Sequence, residues 1–244
     1  KRLNNWVVAL IPLLVGIIIT FLIMIQPDLG TAIIFALLTG IIFLSSPVSK
    51  KIKANIMLLL IGMVIVGVLA IVMTGGSILQ SRQIERFNFT RPCDRLLDTG
   101  NQVCNGYISI NNGGLTGVGL GNSTQKYLYL PEPYTDFIFA VIIEELGLVV
   151  GIIIILAYIY LLYRILKIGR ESYTNRGALI CYGVAVYIFL HIAINLMGLF
   201  GLMPMTGVPL PFMSYGGSFT LCLMVALTLV QRVNIETKIR DKKK

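Results

Sequence analysis

The sequence predicts an all-α polytopic membrane protein with about six transmembrane helices and one long extracytoplasmic loop. Three observations predict it. First, 56% of the 244 residues are hydrophobic and only 13% are charged. The mean hydropathy is +0.84, too apolar for a soluble domain. Second, the apolar runs are long and continuous rather than alternating, which disfavours a transmembrane barrel. Third, the basic residues fall in short segments between those runs, as membrane topology requires. A net charge of +9 invites a nucleic-acid partner, but that placement of the cations argues against one. The chain starts without Met, with Lys1-Arg2 just before an apolar run. It therefore reads as a single membrane domain over 1–244, from a fragment or a processed chain. The first run is too long for a signal core and lacks a small-residue cleavage site.

Trp6 to Ile25 is the first expected span, and it stops at Gln26-Pro-Asp-Leu-Gly-Thr31, a break with a carboxylate. Leu29 to Leu44 is the second, short for a span. A polar loop with Lys50, Lys51 and Lys53 leads to the third, Ile56 to Met73. Residues 74–134 are polar and too long for a connector. The fourth span, Asp136 to Leu162, precedes a loop with Arg164, Lys167, Arg170 and Arg176. The fifth runs from Ala178 to about Leu202, and the sixth from about Met213 to Val230, before a basic tail. Alternating the spans from a cytoplasmic Lys1 puts two cations at the start, three in the first loop, four after Leu162 and six in the tail on one side. That is fifteen of twenty, a strong positive-inside bias. Asp28, the long loop, Asp136 and the segment 203–217 then face outward.

Pro131 and Pro133 resist any helix continuing from before. Thr135 is a plausible N-cap, which puts Asp136 in the first helical turn. Glu144 lies about 12 Å deeper at 1.5 Å per residue, with Glu145 beside it. Acids inside a membrane are costly and functional by default. Glu144 and Glu145 point about 100° apart, so at most one lines a given cavity. Both are expected to pair within the bundle, and Asp28 is given a structural place there as well. His191 and Asn195 share a helix face. Neutral interhelical hydrogen bonding is expected of them, with a proton relay as the alternative.

The runs Asn111-Asn-Gly-Gly114 and Gly117-Val-Gly-Leu-Gly-Asn122 are weak as a nucleotide signal, because no strand precedes them. Flexible turns are the expected reading, and a phosphate-approaching nest is the second. Cys93 and Cys104 can form a disulfide outside the cytoplasm, with two free thiols as the alternative. Without His partners they make a poor zinc site, and no metal site is assigned. Cys181 and Cys222 read as core packing. Three prolines and four glycines between Gly201 and Ser218 rule out a continuous helix. Such backbone at membrane depth must be buried in protein or line a cavity. The amides of Ser214 to Ser218 can cradle an anionic head group, or the segment is a tightly packed corner.

Four stretches, Gln26 to Thr31, Leu130 to Phe139, Glu144 to Gly147 and Gly207 to Gly217, resemble in order the motifs of the SEDS family (shape, elongation, division and sporulation proteins). That family includes the bacterial FtsW, RodA and SpoVE proteins. The resemblance covers nearly the whole chain. It implies a ten-helix fold of which these six are the C-terminal portion. It also implies peptidoglycan glycosyltransferase activity in cell division or elongation. The implied substrate is lipid II, an undecaprenyl-diphosphate-linked disaccharide-pentapeptide, polymerised on the outer face of the bacterial cytoplasmic membrane beside a class B penicillin-binding protein. The family's essential acid is the Asp of its Thr-Asp-Phe-Ile-Phe motif, here Asp136. One departure is Gly100-Asn101-Gln102, where many members have Gly-Tyr-Gln.

The implied reaction is attack by a sugar hydroxyl on an anomeric carbon with inversion. It needs a base, and positive charge near the leaving diphosphate. Asp136 is the candidate base: a helix N-terminus favours its ionised form, and partial burial offsets the resulting loss of basicity. The candidate substrate contacts are Arg82, Arg86, Lys126, Glu132, Ser214, Gly216 and Gly217, with Arg91 and Arg95 completing the outer cations. No cofactor is evident. Mg or Mn bridging Asp136 to the diphosphate is compatible, though no clustered ligand set demands it. Two other classes remain: a transporter of lipid-linked precursor, and a non-catalytic scaffold for a partner synthase.

Overall fold

Helices α1 (Trp6–Ile25) and α2 (Leu29–Ser45) open the chain and pack together in the computed structural model, which describes residues 6–26, 28–46, 48–59, 62, 92–94 and 99–241. Asp28 caps α2, its carboxylate accepting from Thr31 N at 3.0 Å. Lys53 closes the other end, donating Nζ to the carbonyls of Leu44 and Ser46, where a cation meets the negative pole of a helix. Residues 50–59 are helical. Most of the third expected span, Ile56 to Met73, lies outside the described residues.

The polar segment 74–134 contains helices α3 (Thr99–Gly113) and α4 (Thr124–Leu128). Gly100, Asn101 and Gln102 lie in the first turn of α3, where Asn101 Oδ1 accepts from Asn105 Nδ2 at 2.7 Å. Cys93, in a short 3-10 turn, is joined to Cys104 of α3 as a disulfide.

The expected helix from Asp136 to Leu162 is in fact two. Helix α5 (Ile138–Leu146) ends at Gly147, and α6 (Leu148–Glu171) starts after it. Gly147 has φ 88° and ψ 165°, a conformation open to glycine. A Cβ there would collide with Leu115 O, and one on Gly117 would collide with Glu145 O. The glycine-rich stretch is therefore a built turn packed on the break rather than a set of flexible turns. It also satisfies the interrupted backbone: Val118 N donates to Glu144 O at 2.9 Å, Gly119 N to Glu145 O at 3.0 Å, and Leu148 N to Gly114 O at 3.0 Å. Hydrophobic periodicity cannot reveal such a break, because both halves are apolar. Gly147→Val is expected to cost about 3 kcal/mol or more, from strain and backbone collision. Thermal unfolding in detergent checks it, and a wild-type midpoint would refute the break.

Helix α7 (Asn175–Leu199) is the hub. It packs against α2, α3, α6 and α8 (Gly217–Asp241), and 56% of its apolar window is buried, against 17% for α6 and for α8. Among the described residues, α6, α7 and α8 are the three helices long and apolar enough to cross a membrane; Leu10–Ile25 and Gly30–Ser45 are shorter apolar stretches. Helix α8 continues past the expected end at Val230, so Arg232, Lys238 and Arg240 ride on helix rather than on a tail. The main core centres on α5 and α7, with Phe137, Phe139, Ile143, Ile188 and Leu199 almost fully enclosed. Cys181 joins that core, but Cys222 is exposed, so only one of the two cysteines expected in the core packs there.

Candidate active site

Helix α5 starts only at Ile138. Phe137 stands at the N-cap with no side-chain cap bond, so Thr135 is not the cap and Asp136 precedes the helix. Thr135 instead donates its hydroxyl to Glu132 Oε2 at 3.1 Å. The prolines hold residues 134–136 out of helix, and that strip lies along the 203–217 segment. Three successive carbonyls are each bonded. Tyr134 O accepts from Tyr215 N at 2.9 Å, Thr135 O from Ser214 Oγ at 2.6 Å, and Asp136 O from Asn195 Nδ2 at 3.1 Å. Phe137, buried next to it, anchors the strip in the core. The backbone of Asp136 is thus fixed without using its carboxylate.

That carboxylate faces Gly207. A Cβ built on Gly207 would stand 3.4 Å from Asp136 Oδ2, and Gly207 has φ +72°. Gly207→Val is expected to cost about 2 kcal/mol in strain and to crowd the acid. The unfolding midpoint of the variant against wild type checks this. Partial burial, reinforced by the Glu132 carboxylate, raises the Asp136 pKa above the ordinary aspartate value, while the Thr135 side chain pulls the other way. Burial therefore outweighs the helix-terminus effect expected from the sequence.

The irregular 203–217 segment has its polar backbone met by side chains. Asn195 Nδ2 donates to Val208 O at 2.8 Å, and His191 Nδ1 to Pro209 O at 3.3 Å. Tyr158 donates its hydroxyl to Pro211 O, and Leu210 N donates to Ser214 Oγ at 2.7 Å. His191 and Asn195 therefore serve a coil segment instead of pairing helix to helix, as non-helical backbone within a membrane requires. Gly30, from the first break, packs here too: a Cβ on it would lie 2.9 Å from Thr206 O. The motifs around Asp28, Asp136 and Gly207, far apart in sequence, meet at one place.

Ser214 and Tyr215 do not offer a free cradle. The Ser214 hydroxyl and amide and the Tyr215 amide are all engaged internally. The expected anion cradle contracts to Gly216, Gly217 and the first turn of α8. These two glycines line an apolar cleft of about 670 Å³ together with Tyr134, Ile138, Leu221 and Met224. Asp136 is not among its lining residues, but both chain segments flanking it are. Lys126 pairs with Glu145 at 3.4 Å and sits 5.6 Å from the centre of the Tyr134 ring, close to the cleft wall.

Glu145 thus pairs as expected of a bundle acid, but among the described residues Glu144 pairs with no cation. It is 1% exposed and accepts from Ser109 Oγ at 2.8 Å, Ser123 Oγ, Thr124 Oγ1 at 3.3 Å and Asn112 Nδ2 at 3.5 Å. Sequence reasoning missed Ser109 and Ser123. The signal available for Ser123 was its place as the N-cap of α4. Arg82 and Arg86, with Arg91 and Arg95, lie outside the described residues. Among the described residues no three His, Cys, Asp or Glu side chains converge.

The family model described as "Cell cycle protein", for FtsW, RodA and SpoVE, matches residues 1–239. The chain belongs to the FtsW/RodA/SpoVE family. A probable peptidoglycan glycosyltransferase FtsW of Bacillus subtilis (strain 168) is 37% identical over 235 residues, covering 96% of this chain and 58% of that protein. A protein of the same name from Lactococcus lactis subsp. lactis (strain IL1403) is 35% identical over 224 residues, covering 89% and 53%. The chain thus spans a little over half the length of these FtsW relatives. A solved structure of a peptidoglycan synthase complex, described as coordinating polymerization and crosslinking, superposes with a TM-score of 0.68 at 24% identity, over 93% of this chain and 61% of that one. The helical arrangement around α7 is accordingly the fold of the FtsW/RodA/SpoVE family.

Proposed function

We propose that the protein carrying this chain is a peptidoglycan glycosyltransferase that polymerises lipid II, with Asp136 as the general base. The observation that carries the proposal is the fixed strip 134–136. Its three bonded carbonyls place a half-buried carboxylate beside Gly207, and burial raises its basicity. Asp136 takes the proton of the attacking sugar hydroxyl. The hydroxyl oxygen bonds to the anomeric carbon, and the carbon–oxygen bond to the diphosphate breaks, its electron pair leaving with the diphosphate. The leaving diphosphate meets Gly216, Gly217 and the positive end of α8, with Lys126 nearby and Arg82 and Arg86 from the loop. The apolar cleft between Tyr134 and Met224 suits a polyprenyl chain. Glu132 stands beside Asp136 as a candidate substrate contact; a divalent cation bridging Asp136 to the diphosphate is compatible, and no step here depends on one.

The relatives named as peptidoglycan glycosyltransferases support this reading, as does the likeness to a synthase complex. The charge bias along the chain supports an active face outside the bacterial cytoplasmic membrane, in division or elongation, with a class B penicillin-binding protein as partner. A precursor transporter needs a mobile acid in its path, whereas Glu144 is locked among hydroxyls and Glu145 is ion-paired. The test is glycan polymerisation from purified lipid II by the full-length protein. Long strands are the expected product; lipid movement across vesicles without polymer would overturn the proposal in favour of transport.

A further inference from the structure

At the far ends of α6 and α8 the structure forms a second cavity, an open groove of about 570 Å³. Ser172, Tyr173 and Thr174 of the α6–α7 turn form one wall, and Arg232, Glu236 and Arg240 of α8 form the other. The α8 residues recur every four positions and so share one helix face. The walls are held together. Buried Thr237 accepts from Tyr173 N at 3.4 Å, and Gly177 leaves room for Val233, whose Cγ1 would lie 2.9 Å from a Cβ there.

Arg232 is neutralised by Glu236 at 2.8 Å. Arg240 makes no ion pair among the described residues. Its guanidinium carbon lies 4.3 Å from the centre of the Tyr173 ring. Such stacking orients the planar guanidinium while leaving N–H groups available to phosphate oxygens. The Thr174 hydroxyl oxygen accepts from Gly177 N at 3.1 Å, and its proton is free to be donated. Depth also matters. At 1.5 Å per residue α8 is about 37 Å long, against a hydrocarbon core of about 30 Å. Its last turns therefore stand at headgroup level, at the end where Arg170, Arg176 and Lys238 also lie and which the charge rule assigns to the cytoplasm.

We propose that this cavity binds the phosphate of an anionic phospholipid of the cytoplasmic leaflet, held by Arg240 stacked on Tyr173 and by the Thr174 hydroxyl. The test is native mass spectrometry of the full-length protein released from vesicles of mixed phosphatidylglycerol and phosphatidylcholine. Phosphatidylglycerol should be retained preferentially. Arg240→Gln should lower that retention about fivefold, and Tyr173→Leu should lower it without any change of charge. Lys238→Gln, on the same helix but outside the cavity, should leave it near wild type. Both Arg240 and Lys238 are exposed, so these two variants should fold, and unfolding midpoints verify it. Equal loss from Arg240→Gln and Lys238→Gln would mean diffuse attraction and would overturn the site. Displacement of the lipid by inorganic phosphate at matched concentration would make it a soluble-anion site and overturn the lipid assignment.

Discussion

Asp136→Asn in the full-length protein is expected to abolish glycan polymerisation while leaving the fold and partner binding intact. The substitution keeps the shape of the side chain but removes its charge and its ability to accept a proton. Nothing that fixes the strip is lost, because the bonds from Tyr215, Ser214 and Asn195 go to backbone carbonyls. A positioned base contributes about 10²–10⁴-fold to a rate, so strands should fall below detection in an ordinary assay. The pH profile adds an independent check. The folded-state pKa of Asp136 is raised by burial and by Glu132, and the base works only when ionised. Activity should therefore climb with pH through that raised value and plateau above it. The stability sign runs the other way. A carboxyl whose folded pKa exceeds its unfolded pKa binds more protons folded, so the fold loses stability as pH rises across that window. Asp136→Asn removes the loss and should match or exceed wild type in unfolding midpoint near neutral pH. Undiminished polymer from the variant would remove Asp136 from the mechanism.

Glu144→Ala should produce a large loss of stability. Glu144 ties together α3, the start of α4 and α5 through Ser109, Asn112, Ser123 and Thr124. Removing it leaves the buried Ser123 hydroxyl without its acceptor, leaves Ser109 only its 3.2 Å bond to Ala140 O, and opens a void among close-packed helices. A buried unsatisfied group costs about 1–3 kcal/mol and the cavity adds to that, so a total of about 3 kcal/mol is expected. Glu144→Gln keeps one acceptor oxygen and should fall between the alanine variant and wild type. Thermal unfolding in detergent orders the three. An alanine variant that melts with wild type but fails in function would show that Glu144 acts on substrate, which is the behaviour a transporter demands.

These two acids also show how far residue pattern reaches. Helix positions follow from hydropathy, since a run long enough to span lipid has few other fates. Asp136 stands out in the sequence as the acid just after a Pro-Glu-Pro turn, and the resemblance makes it the candidate essential carboxylate. The roles of its neighbours do not stand out there. Ser214 looked like a ligand donor and instead holds Leu210 and Thr135. Asn195 looked like interhelical glue and instead clamps Asp136 and Val208.

The sequence alone settles that the chain is helical and membrane-embedded, because composition and run length are additive along a chain. The tertiary structure alone settles the break at Gly147, the satisfaction of the 203–217 backbone and the partners of Glu144. Each depends on which atoms from distant segments come within hydrogen-bonding distance, and no local pattern encodes that. Gly113 and Gly117 can be read as flexible until Ile143 and Glu145 are seen against them. Only close packing turns a permissive residue into a required one.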